Sequence, residues 1–156
     1  MIFIELIVVL TTYYFFNISE YILHKISHNR DYGGLIYRWH HKHHILEFPP
    51  HKLTKDVQPY SPKYENIYVY FLITWWIALY NIVSQYYFTI IFTETLLYAL
   101  CIDRLHTYYH LNSSPLEKFK WFQKKKKLHL LHHKKTCHNF NLIDFTSDKL
   151  LETYHE

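Results

Sequence analysis

The sequence predicts an all-α fold: an integral-membrane helical bundle of about three spans with a histidine-rich helical cap on one side. Three observations predict it. Two long stretches are apolar, ten of the fourteen histidines fall into four clusters with helical spacing, and every Lys and Arg lies outside the predicted spans. A chain of 156 residues has room for one domain, so residues 1–156 are treated as a single membrane domain.

The first apolar stretch predicts a membrane span over residues 2–23. It has no basic n-region and no small-residue cleavage site, so a retained helix fits better than a cleaved signal peptide. About 20 apolar residues are enough to cross the hydrocarbon core. The second stretch, Ile67 to Ile102, is nearly twice that length and is most polar from Asn81 to Gln85. It predicts a helical hairpin, with spans over 67–83 and 86–102 and a very short turn.

Three crossings would place residues 24–66 and 103–156, the predicted cap, on one side of the membrane. All 17 Lys and Arg residues lie in these two regions. Because basic residues are enriched on the cytosolic side of membrane proteins, we expect the cap to be cytosolic. We expect an integral membrane protein, in the endoplasmic reticulum membrane if the chain is eukaryotic or virus-encoded.

Ten histidines form clusters whose spacing repeats along the chain as HxxxH, HxxHH, HxxxH and HxxHH. Residues three or four positions apart share one face of a helix, so each cluster is expected to direct its rings at one point. Imidazole suits iron, zinc, copper or nickel, and ten rings are too many for one ion and about right for two. The predicted ligands are His24, His28, His40, His43, His44, His106, His110, His129, His132 and His133.

The other four histidines fall outside these clusters. His41 lies about 100° around the helix from its neighbour His40 and is expected to point away from the metal. His51, His138 and His155 match no repeat, and His138 is the best candidate for an extra ligand among them.

Two carboxylates lie near the clusters. Glu20 is one turn before His24, and Asp103 is three residues before His106. Each can accept the second ring N–H of a ligand histidine and so fix the orientation of that ring. Glu20 can alternatively bind the metal itself, and either residue can simply cap or solvate its helix. No other catalytic group is predicted.

The histidine number also bears on the chemistry. Zinc hydrolases usually keep three protein ligands and one open position. Ten imidazoles beside a membrane favour instead two iron ions that activate dioxygen as a co-substrate, although zinc can occupy such a site in isolated protein. The apolar bundle would then supply a slot for an acyl or sterol chain.

The stretches around the histidines resemble the fatty acid hydroxylase/sterol desaturase superfamily of integral-membrane di-iron enzymes, from Glu20 to Thr153. Leu35-Ile-Tyr-Arg-Trp-His40-His-Lys-His43-His44 resembles the "LYRxxHxxHH" stretch of that family. Asp103-Arg-Leu-His106-Thr-Tyr-Tyr-His110 resembles the third box of fatty acid 2-hydroxylases. The end of the chain, with His129-Leu-Leu-His132-His133, Asn139-Phe140, Asp148, Leu150 and Thr153, resembles "HxxHH…NFG…WDxLFGT".

The chain also departs from the family pattern. Asn141, Ser147, Leu151 and Glu152 stand where the family ending has Gly, Trp, Phe and Gly, which is expected to loosen the closing segment or change the pocket. Relatives commonly have four spans, whereas three are predicted here. The resemblance implies that electrons come from a separate b-type cytochrome and its NAD(P)H reductase.

We therefore expect an oxygen-dependent di-iron lipid hydroxylase that acts on a C–H bond of a fatty acyl/ceramide-type or sterol substrate. The third box favours the acyl substrate. Alternatives are a sterol or acyl desaturase with the same metal centre, a non-catalytic metal-binding membrane protein and, less favoured, a metal transporter. The basic run Lys124–Lys127 can attract anionic lipid or dock an acidic redox partner. No nucleic-acid partner is expected, because most aromatic residues belong to membrane segments.

Overall fold

The computed structural model describes residues 2–57 and 67–156, and within these ranges its regular elements are helices. The α-helices are α1 Ile2–Ser27, α2 Arg30–Lys42, α3 Ile67–Tyr80, α4 Gln85–Tyr109, α5 Lys120–Lys134 and α6 Thr146–Leu150. A π-helical turn, His43–Glu47, continues α2, and a 3-10 turn, Pro115–Lys118, precedes α5. The prediction of an all-α fold is confirmed. Residues 58–66 of the predicted cap lie outside the described residues.

Helices α1, α3 and α4 correspond to the three predicted spans and contact one another. Of the helices in the described ranges, α1 alone is both long and apolar enough to cross a membrane, and the apolar part of α3, Val69–Tyr80, is shorter. Residues 81–84 separate α3 from α4, where the sequence predicted a short turn. Apolar side chains are exposed on all three helices, among them Ile7, Leu10, Ile73, Ile77, Leu97 and Leu100. Three crossings stay a prediction.

Helices α1 and α4 extend past the boundaries that the sequence predicted. No Pro or Gly interrupts residues 2–28 or 85–109, so nothing in either stretch ends the helix early. Helix α1 ends only before Asn29, whose side chain accepts hydrogen bonds from the N–H groups of Asp31 (2.9 Å) and Tyr32 (3.1 Å) and caps α2. The four histidine clusters are called boxes one to four in chain order. The first and third boxes therefore lie at the C-terminal ends of the long helices α1 and α4.

One hydrophobic core joins the bundle to the cap. Trp76 on α3 donates a hydrogen bond to Thr95 on α4 (2.9 Å), which fastens the helical hairpin beneath this core. Because the core includes side chains of α5 and of the C-terminal segment, the last histidine box is packed against the same helices that carry the first and third. The buried members are Phe16, Leu72, Tyr98, Ile102, Tyr109, Phe122 and Leu142.

The end of α1 and the start of α2 approach very closely at Gly33. A Cβ atom at this position would lie 2.8 Å from the carbonyl oxygen of Ile26 and 2.7 Å from the Cβ of Tyr37. Only Gly permits this approach, which brings the first and second boxes together. The next residue, Gly34, has a φ of 52° and kinks α2, and a Cβ there would meet nothing within 4 Å.

The closing segment, residues 135–156, is attached to α1 by polar contacts at two positions that depart from the family pattern. Asn17 is fully buried on α1; its side chain donates to the carbonyl of Asp144 (2.7 Å) and accepts from the hydroxyl of Ser147 (2.5 Å). Asn141 donates to the backbone carbonyl of Asn17 (2.8 Å). Glu152 has a φ of 58°, so it keeps the left-handed backbone that favours the Gly of the family.

Substituting alanine for each glycine distinguishes the effect of close packing, at Gly33, from the effect of backbone strain, at Gly34. Both Gly33→Ala and Gly34→Ala should lower the free energy of unfolding by about 1–3 kcal/mol, the first through overpacking and the second through a strained φ. Only Gly33→Ala should also lower the metal content of the purified protein, because the new Cβ pushes α2 and its histidines away from α1. Thermal unfolding together with elemental analysis checks this, and equal metal loss in both variants would contradict it.

Candidate metal centre

The ten histidines that the sequence predicts as ligands come together in two groups of five. Within each group, one ligand nitrogen of every ring lies within 4.8 Å of the others. The rings are buried or partly buried. Eight come from α1, α2, the π-helical turn, α4 and α5, and His28 and His110 directly follow the last residues of α1 and α4. The first histidine group is His24, His28, His40, His44 and His132, and the second histidine group is His43, His106, His110, His129 and His133.

The two groups exchange one histidine of each HxxHH box. The outer pair of the second box, His40 and His44, joins the first group, whereas the histidine between them, His43, joins the second. The fourth box does the reverse: its outer pair joins the second group, and His132 joins the first. The expectation that each cluster directs all its rings at one point is therefore wrong for both HxxHH boxes. Neighbouring residues on a helix point about 100° apart, so adjacent histidines face different groups.

The two groups lie side by side. The rings of His44, in the first group, and His133, in the second, stack with centroids 3.9 Å apart. The π-helical turn that carries His43 and His44 is closed by a hydrogen bond from the N–H of Phe48 to the carbonyl of His43 (2.9 Å). The ring of Phe48 stacks on His110 at 3.8 Å. Single π-helical turns occur often at functional sites because they redirect side chains within a helix.

The spacing of the ring nitrogens fits ligands of a shared cation. In the first group, the Nε2 atom of His40 lies 3.0 Å from that of His24 and 2.8 Å from that of His28. In the second group, Nε2 of His129 lies 2.9 Å from Nε2 of His110. Two nitrogens that bind one ion at about 2.1 Å each, at right angles, are about 3.0 Å apart. Adjacent positions around an octahedral ion therefore reproduce the observed separations.

Backbone carbonyls set the tautomer of several rings. The Nδ1 of His132 bonds to the carbonyl of His138 (2.6 Å), that of His110 to the carbonyl of Leu53 (2.8 Å), and that of His24 to the carbonyl of Phe140. Because a carbonyl only accepts, Nδ1 must carry the proton, and Nε2 then presents its lone pair to the centre of the group. The sequence could not reveal these partners, since a backbone carbonyl has no residue signature.

Burial keeps the rings neutral. Burial first, and the neighbouring histidines after it, lower the pKa of His28 to about 2 and that of His133 to about 2. Burial also lowers the pKa of His40, His43, His44, His129 and His132 below the ordinary value. At pH 7 these rings are therefore uncharged and have free lone pairs, the state in which imidazole binds metal.

Several buried ring nitrogens have no hydrogen-bond partner among the described residues. They include both nitrogens of His44 and the Nε2 atom of His133. A buried polar atom without a partner costs about 1–3 kcal/mol, so folded proteins rarely contain several in one place. Donor type, spacing and missing partners all fit a bound metal cation in each group. That these ten residues bind metal stays a prediction.

The two predicted carboxylates occupy different surroundings. Glu20 is buried on α1 and accepts hydrogen bonds from the hydroxyl of Tyr98 (2.7 Å) and the N–H of Leu142 (2.6 Å). Glu20 thus joins α1 to α4 and to the closing segment. Its partner Leu142 is two residues after Phe140, whose carbonyl accepts from His24. Asp103 is partly exposed on α4, three residues before His106. A direct role of either carboxylate toward a ligand ring stays a prediction.

The four remaining histidines belong to neither group within the described residues. His41 is exposed and stacks on Tyr37 with ring centroids 5.2 Å apart, so it points away from the site as predicted. The ring of His138 stacks on His155 at 4.9 Å. His138 therefore contributes its carbonyl to the site, where the sequence suggested its ring.

Comparison with known proteins gives one finding. A family model described as fatty acid hydroxylase matches residues 9–153, which include all ten histidines of the two groups. Searches of curated proteins and of solved structures return no significant match. The histidine groups and this family both fit a metal cofactor.

Replacing two adjacent histidines one at a time is expected to remove different ions. His132→Ala should weaken the first group and His133→Ala the second, so each variant should lose about half of the bound metal. His41→Ala, which changes an exposed histidine of the second box, should keep the wild-type content. Elemental analysis of the detergent-purified proteins measures metal per chain. Equal and complete loss in both single variants would contradict two separate groups.

Proposed function

Because this chain belongs to the fatty acid hydroxylase family, we propose that it is a membrane-bound, oxygen-dependent di-iron lipid hydroxylase. Members of this superfamily are oxidoreductases and are typically membrane-bound. One observation carries the proposal: two adjacent groups of five histidines, each with its donor nitrogens within 4.8 Å of one another.

Five neutral nitrogen donors suit iron and leave room for one further ligand on an octahedral ion. The ten histidines would hold the two iron ions, whose chemistry would be dioxygen activation: with two electrons and two protons, one oxygen atom of O2 enters a C–H bond and the other becomes water. The chain's own part is to keep the rings neutral and oriented and to bury them away from water. Backbone carbonyls orient three of the rings: each accepts a hydrogen bond from Nδ1 of His24, His110 or His132, which leaves Nε2 to face the metal.

An apolar lipid chain is the substrate class that the surroundings favour. Exposed apolar side chains continue along α1 as far as Ile22, and the buried ring of His24 follows two residues later. The histidine groups thus lie at one end of an apolar helix, where a carbon near the end of a membrane-embedded chain can reach them. We propose a fatty acyl or ceramide-type substrate, with a sterol as the second choice, because the third box resembles that of 2-hydroxylases.

The proposed orientation puts the histidine groups on the cytosolic side, in the endoplasmic reticulum membrane if the source is eukaryotic or virus-encoded. It is supported by the distribution of charge, since all 17 Lys and Arg residues lie in 24–66 and 103–156. These regions also contain all ten histidines of the two groups.

Electrons would come from a separate b-type cytochrome and its NAD(P)H reductase. Part of the basic run on α5 is exposed and can meet such a partner or anionic lipid. Lys127 is exposed, and Lys124 is exposed while it pairs with Glu156 (2.5 Å). By contrast, Lys125 donates to the carbonyl of Ile143, and Lys126 bonds to Glu117. The exposed lysines can steer an acidic partner toward the cap by long-range attraction.

Two other functions remain in view. A desaturase would use the same metal centre but remove two hydrogen atoms instead of adding oxygen. A non-catalytic metal-binding protein is favoured by the altered closing segment, in which Ser147 stands where the family has Trp. Lipid products separate all three.

Lipid mass spectrometry of cells that express the chain tests the function. Wild type is expected to produce lipids that have gained one oxygen atom, and the double variant His132→Ala, His133→Ala is expected to produce none because both groups are broken. His41→Ala, expressed to the same level, should match wild type. A loss of two hydrogen atoms would identify a desaturase.

The hydroxylase proposal fails if wild-type protein binds two iron ions yet forms no oxidised acyl or sterol lipid when a cytochrome and its reductase are supplied. That result would favour the non-catalytic alternative.

A further inference from the structure

The carboxylate of Asp148, at the start of α6, is fully buried and holds the closing segment at two consecutive backbone positions. Its Oδ1 accepts from the N–H of Phe140 (2.8 Å), and its Oδ2 accepts from the N–H of Asn141 (2.8 Å). The hydroxyl of Thr153 donates to Oδ1 as well (2.8 Å). Three donors on one buried carboxylate fix this turn of the backbone rigidly.

The turn that Asp148 holds supplies the carbonyls that orient two histidines of the first group. The carbonyl of Phe140 accepts from Nδ1 of His24, and the carbonyl of His138 accepts from Nδ1 of His132 (2.6 Å). The phenyl ring of Phe140 packs edge-on against the rings of His24, His28 and His132, with centroids 5.6–6.0 Å away. The orientation of His24 and His132, and the packing of the Phe140 ring against them, therefore depend on the position of residues 138–141.

The second histidine group takes its carbonyl partners from elsewhere. His110 and His133 bond to the carbonyls of Leu53 and Phe48, which belong to the chain after the π-helical turn. That chain is held by a separate contact, a parallel bridge between Lys55 and Leu111. The two groups thus have different supports, and Asp148 belongs to the support of the first.

We propose that Asp148 is a positioning residue that sets the orientation of His24 and His132 and thereby the affinity of the first histidine group for its ion. It acts through the backbone of residues 138–141 and does not touch the metal. The inference rests on the proposed two-ion centre, and it goes beyond that centre by assigning one carboxylate to one of the two ions.

Asp148→Asn is the sharpest test, because it keeps the shape of the side chain and replaces one acceptor oxygen with an NH2 group. That group would face a backbone N–H, so one of the two bonds to Phe140 and Asn141 must break. Asp144→Asn is the matched control. Asp144 lies in the same segment, but its carboxylate accepts from Tyr13 (3.2 Å) and from its own neighbour Thr146 (2.8 Å), away from the histidines.

The experiment is a Co²⁺ titration of the full-length protein in detergent. Calorimetry and the visible absorption of the bound ion both measure binding during the titration. Wild type and Asp144→Asn are expected to bind two ions per chain. Asp148→Asn should bind one ion as before and the other about 10- to 100-fold more weakly, the usual effect of losing a partner of a ligand histidine. Thr153→Val, which removes one donor to the same carboxylate, should weaken the same ion by less.

Each result has one meaning. Unchanged affinity for both ions in Asp148→Asn overturns the positioning role, and so does equal loss of both, because Asp148 would then support the whole fold. If wild type itself binds fewer than two ions, the proposed two-ion centre fails, and that outcome is distinct from a failure of the inference about Asp148.

Discussion

The structure depends on one constraint, the burial of ten neutral imidazoles in two adjacent groups. No carboxylate belongs to either group within the described residues, and several ring nitrogens lack partners. Left without a cation, such rings would bring lone pairs together about 3 Å apart and lose the hydrogen bonds of water. A cation bound in each group would make the same arrangement stabilising, because each nitrogen would gain a ligand bond where it is otherwise unsatisfied. Under the proposed two-ion centre, metal binding and folding of the cap would be coupled.

The exchange of histidines between the groups joins the parts of the cap. His43 and His44 are adjacent on one π-helical turn, and His132 and His133 are adjacent on α5, yet each pair divides between the two groups. Each group therefore combines histidines of α5 with histidines of α2 or its π-helical turn. A cation bound in either group would join the same pair of elements. Gly33 and Asp148 also help to position these elements. Gly33 lets α2 pack closely against α1, and Asp148 holds the backbone segment whose carbonyl bonds to His24.

Much of this could be predicted from the sequence because it depends on local spacing. The i, i+3 and i+4 pattern identified all ten residues of the groups, and the polar break at Asn81–Gln85 located the turn of the helical hairpin. The predicted spans stop short of the helix ends, because hydropathy bounds the apolar part of a helix, whereas no Pro or Gly ends α1 before Asn29. The division of His43 from His44 follows from the angle of about 100° between neighbouring helix residues and was missed. Which group each ring joins could not be predicted, since it depends on how four distant segments pack. The carbonyl partners were missed because any residue can supply one.

X-ray absorption at the iron edge tests the central claim most directly, because it measures the ligands of the metal in the intact protein. The account predicts two iron ions per chain, each surrounded mainly by nitrogen at about 2.1 Å, with the multiple-scattering pattern of imidazole. A single ion per chain, or a shell made mainly of carboxylate oxygen or of sulfur, would contradict it.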